Sequence, residues 1–204
     1  MADNLLEELR LELNILGCNI EQLHLERRYK QYEGSLDLSF LGLKDIPIKS
    51  IMKMKGLKIL YLNENNIISL PKEIGKLSDL IYLNLHKNNL KEIPDNLYNL
   101  VNLRYLSLST NLLDILSPKI GKLLKLKSLI LSGNRLKTLP ETISELENLQ
   151  TLHIFSNLLT TIPDLYLLQE LKLLSIYNNN LKDSENNKLI KLKKNGCLIH
   201  NFSG

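Results

Sequence analysis

Leu, Ile and Asn recur along this chain in a fixed frame, Leu-x-x-Leu-x-Leu-x-x-Asn-x-Leu, with Ile allowed at the apolar positions. Asn65, Asn88, Asn111, Asn134 and Asn157 fall at intervals of 23 residues. The first full copy reads Leu57, Leu60, Leu62, Asn65, Ile67, and the fifth reads Leu149, Leu152, Ile154, Asn157, Leu159. A sixth copy, closing on Asn179 and Leu181, arrives one residue early. A degenerate copy precedes them all, with Leu36, Leu38 and Leu43 in place and Leu41 where Asn belongs. Alternation of apolar with outward residues around positions four and six predicts a short strand with one buried face. The Asn predicts a turn off that strand, its amide meeting backbone groups that would otherwise be buried unpaired. Leu41 cannot do this, so the first copy is expected to be a terminal, partly solvated coil.

Between strands the chain reads Leu/Ile-Pro-x-x-Ile/Leu-x-x-Leu, as in Leu70-Pro71, Ile74 and Leu77. Apolar residues three apart suit a short helical or 3₁₀ segment, and Pro suits the first position of such a turn. The third copy departs, with Ser117 in the Pro slot and Pro118 one place later. A helical segment is wider than a strand, roughly 10 Å against 4.8 Å, so stacked coils must curve with the strands inside. The expected fold is α/β: a right-handed horseshoe solenoid with a concave parallel sheet, convex short helical or 3₁₀ segments and terminal caps. A solenoid needs those caps because its end coils lack a neighbour. Residues 1–33 are expected to form the first, 34–182 seven repeats, and 183–204 a closing helix and strand. The helix is placed over Ser184 to Lys194, with Asn195-Gly196 as its stop. At the N-terminus, Leu5, Leu9, Leu13, Leu16 and Ile20 lie at helical spacing. The stretch from Leu11 to Gly17 also echoes Leu36 to Gly42, which leaves a hidden extra coil as the alternative.

This frame matches the leucine-rich-repeat signature. The 23-residue period over residues 46–182 resembles the short spirochaetal leucine-rich-repeat proteins and the Ras-group intracellular leucine-rich-repeat family. The ending from Lys188 to Ile199 looks more like the spirochaetal one. The resemblance implies a protein-interaction role without chemistry. It is specific for fold, whereas function must be argued from the surface.

Composition alters the picture modestly. Aromatics make up 5% and Trp is missing, so the core must be aliphatic. A net charge of +4 is too mild to point to nucleic acid. Lys58, Arg104, Lys127 and Lys172 share the slot ahead of the strand; they form a broken basic column that could track phosphates, or simply a solvated rim. No apolar run approaches the roughly 20 residues of a membrane span. Charges at Glu7, Glu8, Arg10 and Glu12 disqualify Ile15-Leu16-Gly17-Cys18 as a lipoprotein cleavage box. Cys18 and Cys197 belong to opposite ends, too far apart for a disulfide. These features suggest a cytoplasmic protein, with a secreted or surface-exposed one as the alternative. No cofactor, metal or catalytic residue is expected. Recognised catalytic and metal motifs are missing, and His86 and His153 stand three coils apart. His24 and His200 are assigned to the caps.

The outward positions around each strand (third, fifth, seventh and eighth of the frame) carry the functional signal. They hold Tyr61, Tyr82, Tyr105, Phe155 and Tyr177, with His86 and His153, and Phe40 in the degenerate copy. Lys, Glu and Thr would suffice for solubility, whereas exposed Tyr offers large contact area at low entropy cost. The expected binding residues are therefore Tyr61, Tyr82, His86 and Tyr105 in one patch, and His153, Phe155 and Tyr177 in a second. The expected partner is a protein or peptide; self-association as a scaffold is the alternative.

Overall fold

The computed structural model describes residues 2–20 and 23–201. Positions 1, 21–22 and 202–204, which belong to the expected caps, lie outside the described residues. Among the described residues nine strands form one sheet in chain order. They are β1 (Tyr29–Lys30), β2 (Ser35–Asp37), β3 (Ile59–Tyr61), β4 (Tyr82–Asn84), β5 (Tyr105–Ser107), β6 (Ser128–Ile130), β7 (Thr151–His153), β8 (Leu173–Ser175) and β9 (Leu198–His200). The β1–β2 pair is antiparallel and every later pair is parallel. Register follows the repeat: Leu60 pairs with Leu83, Leu83 with Leu106 and Leu106 with Leu129. These form a column of fully buried leucines, and the buried apolar residues make one continuous cluster from cap to cap. No helix among the described residues is long and apolar enough to cross a membrane.

Strands β2 to β8 each stop after three residues because the chain then turns inward, and the turn has two supports. One is left-handed backbone at frame position eight, where Phe40, Glu64, Lys87, Thr110, Gly133, Ser156 and Asn178 all have φ between 52° and 67°. The other is the buried Asn. Asn111 accepts through Oδ1 from Leu90 N–H and donates through Nδ2 to the carbonyls of Leu85, Leu108 and Ser109. Leu90 and Leu85 belong to the preceding coil, so each Asn completes the turn before its own.

This corrects the expectation for the degenerate copy. Asn65 accepts from both Leu41 and Leu43 N–H, so that first turn needs no Asn of its own. Its core leucines Leu36, Leu38 and Leu43 are fully buried, and the coil is covered rather than partly solvated.

On the convex side, 3₁₀ turns occupy Lys72–Lys76, Asp95–Asn99, Pro118–Lys122, Glu141–Glu145 and Leu165–Leu167. Pro71, Pro94 and Pro140 stand just before these turns with extended backbone, not at the first helical position as expected. Their carbonyls accept the first turn bond, for example from Ile74 N–H. Only Pro118 occupies the first turn position, and Ser117 caps it by accepting from Lys119 N–H. The coils pack closely here. A Cβ built on Gly75 would stand 2.1 Å from the Asn96 carbonyl oxygen, so this position admits only Gly.

The ends are closed by elements held with carboxylates. Helix α1 (Ala2–Ile15) buries Leu9 and Leu13 against the first coil and ends on Gly17 at φ 81°, with Cys18 N–H bonding back to Leu13. After α2 (Leu25–Arg28), the short helix α3 (Ile48–Ile51) receives Glu12 from α1; its carboxylate accepts from Lys49 N–H, Ser50 N–H and Ser50 Oγ. At the other end, α4 (Asn186–Lys194) follows a 3₁₀ turn and stops at Gly196, with Cys197 N–H bonding back to Leu192. Buried Glu185 accepts from Ile162 N–H and pairs with Lys188, whose ammonium also donates to the Ile162 carbonyl. Cys18 and Cys197 are both buried and free.

Candidate functional site

The outward face of the sheet is organised in columns, because identical frame positions pair across neighbouring strands. Column three holds Tyr82 beside Tyr105, and their rings stack at 4.1 Å with 4° between planes. That spacing is slightly shorter than the strand spacing of about 4.8 Å, so the rings lean together. Tyr61, one strand back in column five, adds a tilted contact with Tyr82 at 5.1 Å. The three rings make one continuous platform. All three are half-buried. Burial, with the Tyr105 and Tyr61 rings alongside, pushes the Tyr82 phenol well above its ordinary range, so it stays protonated.

His86 sits in column seven, beside this platform in the frame. Its Nδ1 shares a hydrogen bond with Ser109 Oγ at 2.8 Å, and Ser109 Oγ lies 3.1 Å from Ser107 Oγ. The backbone at His86 is also held by Asn84 Oδ1. The side chain is thus oriented by a serine relay. Ser107, Ser109 and Ser132 are buried small residues that leave a shallow floor between the two aromatic groups.

Towards the C-terminal end, Phe155 and Tyr177 stack at 4.5 Å with 10° between planes. His153 meets Phe155 edge-on at 6.3 Å. His153 Nδ1 is buried without a hydrogen-bond partner, and burial, then the charge of His200, lowers its pKa. His200, assigned from the sequence to the cap, lies in the sheet's last strand. Strand β9 pairs Ser175 with His200, and β7 pairs His153 with Ser175, so both imidazoles stand in column five with Ser175 between. Leu198, 59% exposed, extends column three in the same way. The residue frame stops at Leu181, so the sequence offered a closing strand here without its register against the others.

The charge pattern changes along the face. Near the start, Asp37 is held by Arg28, and Glu64 by Lys87. From Tyr105 to His200 the outward positions contain no Asp, Glu, Lys or Arg. The rim beside that stretch carries exposed Arg104, Lys127 and Lys172 against Glu170. None of the three cations takes part in an ion pair among the described residues. Among the described residues no cluster of three or more His, Cys, Asp or Glu could hold a metal ion.

Comparison with known proteins gives a consistent picture. A family model described as a leucine-rich repeat region matches residues 95–199. A second, described as leucine rich repeat, matches residues 34–90 and 57–113. Among solved structures, a leucine-rich-repeat protein of Leptospira interrogans superimposes with a TM-score of 0.73 at 30% identity. The match covers 86% of this chain and 45% of that one, so this chain spans under half the length of its structural relative. No curated protein sequence matches the chain.

Proposed function

Because the chain belongs to the leucine-rich-repeat family, we propose that it is a non-catalytic module that binds a protein or peptide partner on its concave sheet. The observation that carries this reading is the stacked Tyr61–Tyr82–Tyr105 platform on an open sheet, with the Phe155–Tyr177 stack beyond it. Pre-stacked rings lose little side-chain freedom when a partner covers them, which favours affinity. The serine floor between the two stacks lets an extended segment follow the face from one anchor to the next. His86 and His153 supply oriented polar contacts beside each anchor.

Replacing Tyr82 and Tyr105 together by Ala should weaken a natural partner, recovered with the intact chain, by at least about 2 kcal/mol. The stack itself contributes about 1 kcal/mol to the fold, so the variant should melt slightly lower yet remain folded. Lys119→Ala with Lys122→Ala, on the convex turns, should leave affinity unchanged. The reverse pattern, measured by calorimetry, would move the binding face to the convex side. Self-association is a second reading, favoured by the terminal position of β9 and its exposed Leu198. Sedimentation over a range of concentrations separates the two.

A further inference from the structure

We infer that the C-terminal end of the concave sheet is a subsite for carboxylate-bearing extended segments, at which His153 takes up a proton as the segment docks and His200 stands as a second donor. The inference rests on the concave face being the binding face and names the chemistry of what it takes. Three observations converge on it. First, His153 and His200 stand in one column with Ser175 between them, two strand spacings or roughly 10 Å apart along the sheet. A carboxylate held through both oxygens at charge-assisted lengths can bridge donors up to about 8 Å apart. Two imidazoles on that column, flanking the small buried Ser175, can meet this requirement.

Second, no carboxylate already occupies the site. Around His153 are Ile130 from β6, Thr151 and Phe155 on or beside its own strand, Leu173, Ser175 and Tyr177 on or beside β8, and Leu198 and His200 from β9. The titratable groups among these are His200 and the Tyr177 phenol. The rim adds Lys127, Lys172 and Glu170. Helix α4, behind β9, adds Lys188 and Lys191, which are taken up by Glu185 and the Tyr166 ring, and exposed Lys193 and Lys194. The surroundings therefore carry more cations than Glu170 balances, an excess that an acidic segment offsets.

Third, the floor beside the imidazoles is apolar: Phe155 stacked on Tyr177, and exposed Leu198. An occupant thus combines acidic residues with an aromatic or aliphatic anchor. In the free protein burial, and then the charge of His200, lower the pKa of His153 and so favour its neutral form. A docked carboxylate favours the charged form, so binding draws in protons and tightens as pH falls through the window between the two states.

The test uses two capped nonapeptides that alternate Phe and Leu with either Glu or Gln, titrated into the full chain at pH 7.5 and 5.5. Glu remains ionised across that range. The Glu peptide should bind at least fivefold tighter at pH 5.5, while the Gln peptide changes less than twofold. His153→Gln with His200→Gln should abolish the difference and keep binding of the Gln peptide. Equal pH responses of the two peptides, or a response that survives in the double variant, overturn the inference. Amide signals around Phe155 and Tyr177 separate the two ways of failing. If both peptides shift those signals alike, the proton coupling falls and the concave reading stands. If signals move only on the convex turns, both fall. The comparison of the two peptides on the unaltered chain holds even where the double variant folds poorly.

Discussion

A single buried amide does more in this chain than its spacing suggests. Asn111 makes four hydrogen bonds to main-chain groups, two in the preceding coil and two in its own. Truncation strands those groups in a dry turn, and a buried unpaired polar group costs about 1–3 kcal/mol. Asn111→Ala should therefore destabilise by about 1–3 kcal/mol in denaturant melts. A change below about 0.3 kcal/mol would mean that water already serves the turn. The Asn period was legible in the sequence because five copies repeat in phase. Which coil each amide serves was not, since the spacing is the same whether the bonds run forward or back. Nor was the left-handed column at position eight, where Glu64, Lys87 and Thr110 have little residue type in common. Tyr82 and Tyr105 could be placed side by side because both occupy position three. His200 could not, because its strand follows a helix and lacks the frame that numbers the others.

At the scale of elements, the two ends are fastened by similar chemistry built from unrelated sequence. Glu12 reaches from α1 to cap α3, and Glu185 reaches from the closing turn to Ile162 in the coil before. Burial alone would raise the Glu185 carboxyl, but the Ile162 N–H and the Lys188 ammonium hold it below its ordinary value. A carboxyl lowered in the folded state contributes stability that is present above the unfolded value near 4.5. That stability is lost as pH falls through the lowered folded value. The C-terminal cap should accordingly loosen in acid. Glu185→Gln keeps an acceptor for Ile162 but loses the pairing with Lys188. Its melting temperature should lie below that of the native chain at pH 7 and converge with it towards about pH 3. Curves that stay parallel across this range would show that Lys188 contributes nothing to the closure. The sequence indicated a helix here through its apolar spacing. The latch was invisible, because a glutamate in a polar stretch carries no mark of the backbone amide 23 residues away that it will meet.

The whole molecule has a long core and no centre, since each coil buries its leucines only against the coils on either side. Stability in such a stack is set by neighbour contacts, and opening starts where a neighbour is lacking. Amide exchange should be slowest around Leu106 and Leu129, and should quicken towards α1 and β9. Uniform protection along the chain would instead mark a single cooperative unit. The Asn ladder also has a direction. Leu90 is completed by Asn111, Leu113 by Asn134 and Leu136 by Asn157, always from the residue that comes later in the chain. On the ribosome the N-terminal coils emerge first, and each remains open at its turn until the following repeat has left the exit tunnel. The nascent chain thus always carries one unfinished coil at its growing end. The last Asn, Asn179, closes Leu159, and for the coil after it α4 and β9 take over the task of termination.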